Sequence, residues 1–362
     1  MKKLSFLLLG CSLYSLHLQS QGCIAVRNIS GFGQYNLADN AFSTSDWQLN
    51  ITNRYFKAFR DYKETHDLHT PEQNQNVIKS YSMDIGITRL LRNGWSLNLS
   101  LPISANARTT SAEHGGLNTT RYTTHSFGIG DIRITAYKWL LAPTVKQKGN
   151  IQLGFGLKLP TGDYKYQDHF HWRSDTAVLA PVNPSIQLGD GGTGIITELN
   201  IFYFLNKTNR MSVYGNFYYL INPREQNGVP AALGGRPISA NQIKAGGGEV
   251  SVTDIYSMRA GVNYNLNKWA FSLGVRDEGA PVHDLIGGSL GLRRAGYTVS
   301  VEPGVIFKMK KASLYAYVPV TAAHSIKQNV VDKNLTKLTG TYTVGPGGSG
   351  DYQVFVGALF KL

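Results

Sequence analysis

From residue 47 onward, apolar and polar residues alternate along the chain. Trp47, Leu49, Ile51 and Tyr55 fall on one side of the first such stretch, and Gln48, Asn50, Thr52 and Arg54 on the other. A repeat of two is the signature of a β-strand with unlike environments on its two faces. The pattern recurs with Tyr81, Met83, Ile85 and Ile87 opposite Ser82, Asp84, Gly86 and Thr88, and again with Trp95, Leu97, Leu99, Leu101 and Ile103 opposite Ser96, Asn98, Ser100 and Ser104. Further strands are predicted over 127–140, 151–159, 194–205, 211–221, 251–264, 269–276, 296–309, 312–321 and 351–362, which makes twelve. The 194–205 segment is apolar on both faces. Pro303, which has no N–H for a ladder, predicts a bulge in its strand.

The connections alternate in length. Long ones are expected at 59–76, 105–123, 160–193, 222–250, 277–295 and 322–350, and short ones at 92–94, 142–149, 206–210, 265–268 and 310–311. An antiparallel meander with all its long loops at one end is the plan of a transmembrane up-and-down β-barrel, all-β and of about twelve strands. No segment past the N-terminus holds the roughly 18 continuous apolar residues of a spanning helix, so a helical bundle is excluded.

Composition sharpens this picture. Lys and Arg number 36 against 23 Asp and Glu, a net charge of +13, yet only 16% of residues are charged. The short turns hold Arg92, Lys146, Lys148, Lys207, Arg210, Lys268, Lys310 and Lys311 and no acid. Bases there suit anionic headgroups, and no recognition helix or stacking platform calls for a nucleic-acid partner. Trp47, Trp95, Trp139 and Trp269 lie at the short-turn ends of their strands, where an interfacial girdle of indoles is expected. At the N-terminus, Lys2 and Lys3 precede the apolar run 4–10, so residues 1–20 read as a signal peptide. Residues 21–45 then form a periplasmic lead or small lumen plug, and 46–362 the barrel. Leu8-Leu9-Gly10-Cys11 resembles a lipidation box behind a very short core, and Cys23 is expected to be a free thiol. The localisation implied is the outer membrane of a gram-negative bacterium, with its lipids and the barrel-assembly machinery as partners.

Several short motifs carry a resemblance. Phe127-Gly128-Ile129-Gly130-Asp131-Ile132-Arg133, Leu157-Lys158-Leu159-Pro160-Thr161-Gly162-Asp163 and Ile186-Gln187-Leu188-Gly189-Asp190-Gly191-Gly192 occur in that order, followed by Arg293-Arg294-Ala295-Gly296-Tyr297 and Val301-Glu302-Pro303-Gly304. In this order they resemble the outer-membrane barrels grouped with the meta-pathway of phenol degradation. The resemblance implies a transporter-like channel and no catalytic residues. The final aromatic residue usual in such barrels is replaced by Phe360-Lys361-Leu362. Physically, Asp131 and Arg133 share one face and can enter the lumen together, and Pro160-Thr161-Gly162-Asp163 punctuates a strand end.

By parity, the ionisable residues facing the interior are Arg54, Asp84, Asp131, Arg133, Lys158, Glu198, Arg259, Glu302 and Lys308. Enclosed charges must be paired or wet, so they are expected to form salt bridges that fill or narrow the lumen, or to set the selectivity of a passage. His125 and Ser126 adjoin, but neighbours on a strand face opposite ways, and no enzyme is expected. His66, His69, His114, His125, His169, His171, His283 and His324 lie in or beside the long loops. Of these, His169 and His171, on one side of an extended segment, are weak candidates for a metal contact, with His66 and His69 able to share a helical face. No cofactor is expected. The function anticipated is passive passage of small, hydrophobic or amphipathic organic solutes; the alternative is an occluded barrel that binds a partner through six long outer loops.

Overall fold

The computed structural model describes residues 47–116, 119–141, 148–172, 176–206 and 208–362. The predicted signal peptide and lead, with Cys11 and Cys23, lie outside the described residues, as do Lys146 and Lys207 of the short turns. Twelve strands close into one antiparallel barrel: β1 (Trp47–Ala58), β2 (Val77–Leu90), β3 (Trp95–Thr110), β4 (Tyr122–Ile129 and Arg133–Trp139), β5 (Gly149–Lys158), β6 (Gly194–Phe204), β7 (Met211–Ile221), β8 (Ile255–Leu266), β9 (Trp269–Ala280), β10 (Gly296–Lys308), β11 (Ala312–Tyr317 and Val320–Ile326) and β12 (Gln353–Lys361). Each pairs with its sequence neighbours, and β12 pairs with β1 to complete the cylinder. Among the described residues, no helix is long and apolar enough to cross a membrane.

Side-chain polarity is inverted relative to a soluble protein. Phe127, Phe155 and Leu273 on the outer wall are 68%, 62% and 60% exposed, whereas Thr52, Ser82, Ser257 and Glu302 are wholly enclosed. An exposed apolar belt around a polar interior is the arrangement that lipid on the outside favours.

The short turns rest on residues that tolerate left-handed backbone. Asn93 and Gly94 between β2 and β3 have φ of 58° and 74°, as a tight hairpin requires, and Asn267 between β8 and β9 has φ 52°. At the other end, the long connections fold over the mouth and include α1 (Ala240–Lys244) and α2 (Val330–Thr339). Asn329 and Asp332 form a reciprocal capping box on α2, and Gly340, at φ 70°, ends it.

Four strands differ from expectation. β4 begins at Tyr122 and β3 runs to Thr110, so the second long loop spans only 111–121 instead of 105–123. β4 is also broken at 130–132. Its first half pairs with β3 alone, because β5 ends at Lys158 and the chain then leaves the wall. The expected bulge at Pro303 does not form: β10 stays in register with β9, Leu273 opposite Pro303. The disturbance falls on the other neighbour, where β11 is interrupted at 318–319, and the Val318 N–H donates to the Pro303 carbonyl at 3.0 Å. A missing donor on one strand is absorbed by a break in its partner.

Candidate functional site in the lumen and outer vestibule

Three of the motifs meet at the break in β4. The Thr161 hydroxyl donates to the Gly130 carbonyl and accepts from the Ile132 N–H, both at 2.9 Å, thereby bridging the interrupted strand. The Leu159 N–H donates to the Ile132 carbonyl at 2.8 Å. Asp131 then collects the other two motifs: one carboxylate oxygen accepts from the Gly162 N–H at 3.0 Å, the other from the Asp190 N–H at 3.3 Å. Gly162 and Gly189 are needed for this approach. A Cβ on Gly162 would sit 2.7 Å from the Leu188 carbonyl, and one on Gly189 would sit 2.5 Å from an Asp131 oxygen. Pro160-Thr161-Gly162-Asp163 is thus a patch on the wall as well as a strand end.

Charge collects around that hub. The Lys158 ammonium lies 3.7 Å from Asp131 and bonds Asp190. Arg133 points inward among the carboxylates of Asp84, Asp131 and Glu198, and Tyr137 donates to Glu198 at 3.1 Å. Arg54, Asp131, Arg133, Lys158 and Asp190 line a lumen cavity of about 150 Å³ beneath the third long loop. That loop reaches into the barrel: Ile186 is fully buried against Phe56, Ala58 and Ile78, and its carbonyl accepts from Asn106 at 3.3 Å and from Ser126.

A second group forms across the lumen. Arg259 donates through Nε and Nη2 to Glu302 Oε1 at 2.8 and 2.5 Å, while Arg276 lies 3.5 Å from Oε2 and donates to Glu278 at 3.0 and 2.7 Å. Gln353 also donates to Glu278. Of the nine interior candidates, all face inward, but Lys308 stands apart, donating to Asn265 at 3.0 Å. Arg276 and Glu278 escaped the sequence reading although alternation from Trp269 turns both inward. On the turn side, aromatic residues pack inside the barrel: Trp139, Phe202, Phe204 and Tyr214 form one cluster, and Tyr315, Tyr317 and Phe355, with Ala270 and Ile306, another.

Trp139 therefore corrects the expected girdle. It is 8% exposed and packs inside the barrel, because the parity that turns Arg133 inward turns Trp139 inward too. Trp47, Trp95 and Trp269 do lie on the outer wall at the short-turn end, 45%, 47% and 45% exposed. Arg89 covers the Trp47 ring at 4.9 Å and Lys138 the Trp95 ring at 5.3 Å.

Above the lumen cavity lies an outer vestibule of about 260 Å³. Pro184, Ser185, Ser251 and Thr253 line both cavities, so the two adjoin at a neck made by these residues. Asp61, on the vestibule wall, has its carboxyl pushed above the usual range by burial, against hydrogen bonds from Asn76 at 3.1 and 3.3 Å. The loop histidines are dispersed. His169 sits beside Asp168, and His171 instead stacks on Tyr122 with ring centroids 4.3 Å apart, its N–H donating to His114 Nδ1 at 3.0 Å. His66 is in a short strand and His69 has φ 45°, so no helical face joins them. Among the described residues, no group of three or more His, Cys, Asp or Glu is placed to hold a metal ion.

No family model matches the chain, and no curated protein matches it. Solved structures do. The COG4313 outer membrane channel from Pseudomonas putida F1 superposes with TM-score 0.58 at 12% identity, over 89% of this chain and 97% of that one. The chain has the fold of an outer-membrane β-barrel. The translocator domain of the autotransporter NalP from Neisseria meningitidis (TM-score 0.44, 12% identity, 92% and 94% covered) and the P. putida toluene transporter TodX (0.39, 10%, 90% and 91%) are more distant.

Proposed function

We propose that the protein is a passive outer-membrane channel for small organic solutes of hydrophobic or amphipathic character, and not an enzyme. The observation that supports this reading is the pair of adjoining cavities, which leads from the loop-covered mouth through the neck at Pro184 and Ser185 to the charged lumen chamber. Both cavities mix apolar walls with a few charged groups, the usual character of a site for amphipathic ligands. The resemblance of the motifs to barrels grouped with the phenol meta-pathway points the same way, since three of those motifs build the chamber wall. Outer-membrane lipids and the barrel-assembly machinery are the partners such a barrel requires.

The aromatic packing on the turn side favours a second reading, in which the lumen is sealed and the outer loops bind a partner. Proteoliposome swelling and planar-bilayer conductance separate the two. Solute-dependent swelling and discrete conductance steps are expected from the purified, folded barrel; bilayers that stay sealed at every barrel density would remove the channel reading and leave the second.

A further inference from the structure

The vestibule carries one guanidinium, that of Arg294, which makes no ion pair among the described residues. Its ionisable lining consists of Arg108, Arg293, Arg294, Asp61 and Glu113. Arg108 pairs with Glu113 at 3.0 Å, and Arg293 pairs with Asp284 at 2.5 Å. Arg294 has no carboxylate within ion-pair range among the described residues, and its guanidinium reaches only the Arg293 carbonyl, at 3.4 Å. Asp332 feels the charge of Arg294 but makes no ion pair with it; its Oδ2 instead accepts the N–H groups of Asn329 and Gly345 at 3.3 and 3.4 Å, holding the start of α2. Gly345 also makes the room for Arg294, since a Cβ there would lie 2.7 Å from Nη1. The cavity it lines is largely apolar, with Ile78, Ala112, Pro184, Leu292 and Pro346 in its wall.

A partly buried guanidinium with unused donors beside apolar walls has a defined complement, namely a planar anionic head that takes paired N–H donors, attached to a compact apolar body. We propose that the vestibule binds small organic monocarboxylates, the carboxylate on Arg294 and the apolar part against Ile78, Pro184 and Leu292. Phosphate monoesters fit less well, because a second negative charge would face Asp61 and Glu113. The site deepens the passage reading by naming the charge of the solute, and rests on that reading only for the solute's onward route through the neck.

Isothermal titration of the folded barrel in non-ionic detergent, with benzoate and its uncharged analogue benzamide at pH 7, tests the site without requiring transport. Benzoate is expected to bind roughly tenfold or more tightly than benzamide, as a charge-assisted contact at a partly buried site should give. Arg294→Gln should abolish that preference while leaving benzamide unchanged, and Arg294→Lys should restore part of it; heat-modifiable mobility in SDS gels reports that each variant is folded. Equal binding of the two compounds to the wild-type protein, or a benzoate preference that survives Arg294→Gln, would overturn the proposal. Swelling assays with the same compounds keep the two readings apart. Benzoate binding without permeation removes the passage reading but not the site, and permeation with no benzoate preference does the reverse.

Discussion

Arg259 grips Glu302 through two guanidinium nitrogens in a part of the lumen where both side chains are 1% exposed. Glu302 simultaneously faces Arg276, so one carboxylate on β10 answers cations from β8 and β9 and ties three consecutive strands together through their side chains. Glu302→Ala leaves two enclosed guanidinium groups short of a counter-charge, and breaking a buried pair in this way costs about 3–5 kcal/mol. The expected result is a clear fall in the temperature at which the folded band converts to the unfolded band in SDS gels. Glu302→Gln, which keeps one acceptor oxygen, should fall between. Conversion temperatures equal to that of the parent would show that the Glu302 carboxylate does not hold these strands together.

Trp139 against the other wall tryptophans gives a direct test of which face meets lipid. Single-tryptophan barrels, with the remaining indoles replaced by phenylalanine, are reconstituted into vesicles whose acyl chains carry bromine at a known depth. Trp47, Trp95 and Trp269 are expected to be quenched most strongly by bromine near the headgroup, where an indole sits half in hydrocarbon. Trp139, enclosed with Phe202, Phe204 and Tyr214, should be nearly untouched. Equal quenching of all four would contradict the inward placement, and absence of quenching in all would contradict the membrane orientation of the wall.

These two sites also show how much of the molecule can be read in its residues. Alternation is legible because a strand between lipid and lumen has two unlike environments, so the nine interior charges follow from parity. Trp139 departs from the girdle because parity, and not position along the strand, decides which face an indole meets. Arg276 and Glu278 obey the same parity, at the end of a strand that runs further than its alternation suggests. The function of Thr161 is of another kind: its hydroxyl repairs a ladder 29 residues away in sequence, and no local pattern encodes a contact made only when a loop folds back on the wall. Arg294 is equally silent, since its surroundings come from a different outer loop, with Asp332 engaged in a helix cap and Gly345 leaving room for the guanidinium.

His114 predicts a pH response at the loop-covered mouth. Its pKa lies below the ordinary histidine value, chiefly through burial, and its Nδ1 accepts the His171 N–H, which ties the second long loop to the third. A depressed histidine pKa means that the unfolded or opened state binds the proton more readily. The tie therefore contributes its full stability above the ordinary range near pH 6.5, and loses it progressively as pH falls toward the folded-state value. Amide exchange of residues in 111–116 and 167–171 should be faster at pH 5 than at pH 7.5, after correction for intrinsic rates. His114→Asn, whose side-chain oxygen can still accept from His171, should remove the pH dependence. A response of the same size in that variant would assign the effect to another group.

The third long loop reaches into the barrel, and one carbonyl anchors it. Ile186 O receives hydrogen bonds from Asn106 and Ser126, two adjacent positions on the β3–β4 wall, while the preceding turn at Pro184–Ile186 forms the neck between vestibule and lumen. Asn106→Ala with Ser126→Ala removes both donors and leaves the carbonyl buried without them, costing about 1–3 kcal/mol locally. The barrel wall keeps its backbone ladder, so global heat modifiability should change little, whereas the segment at the neck is freed to leave the lumen. Single-channel recordings are expected to show larger and noisier conductance steps than the parent. Steps of unchanged size would mean that the neck is not the narrowest point, and would shift attention to the aromatic clusters on the turn side, where Tyr315→Ala and Phe355→Ala are the next openings to measure.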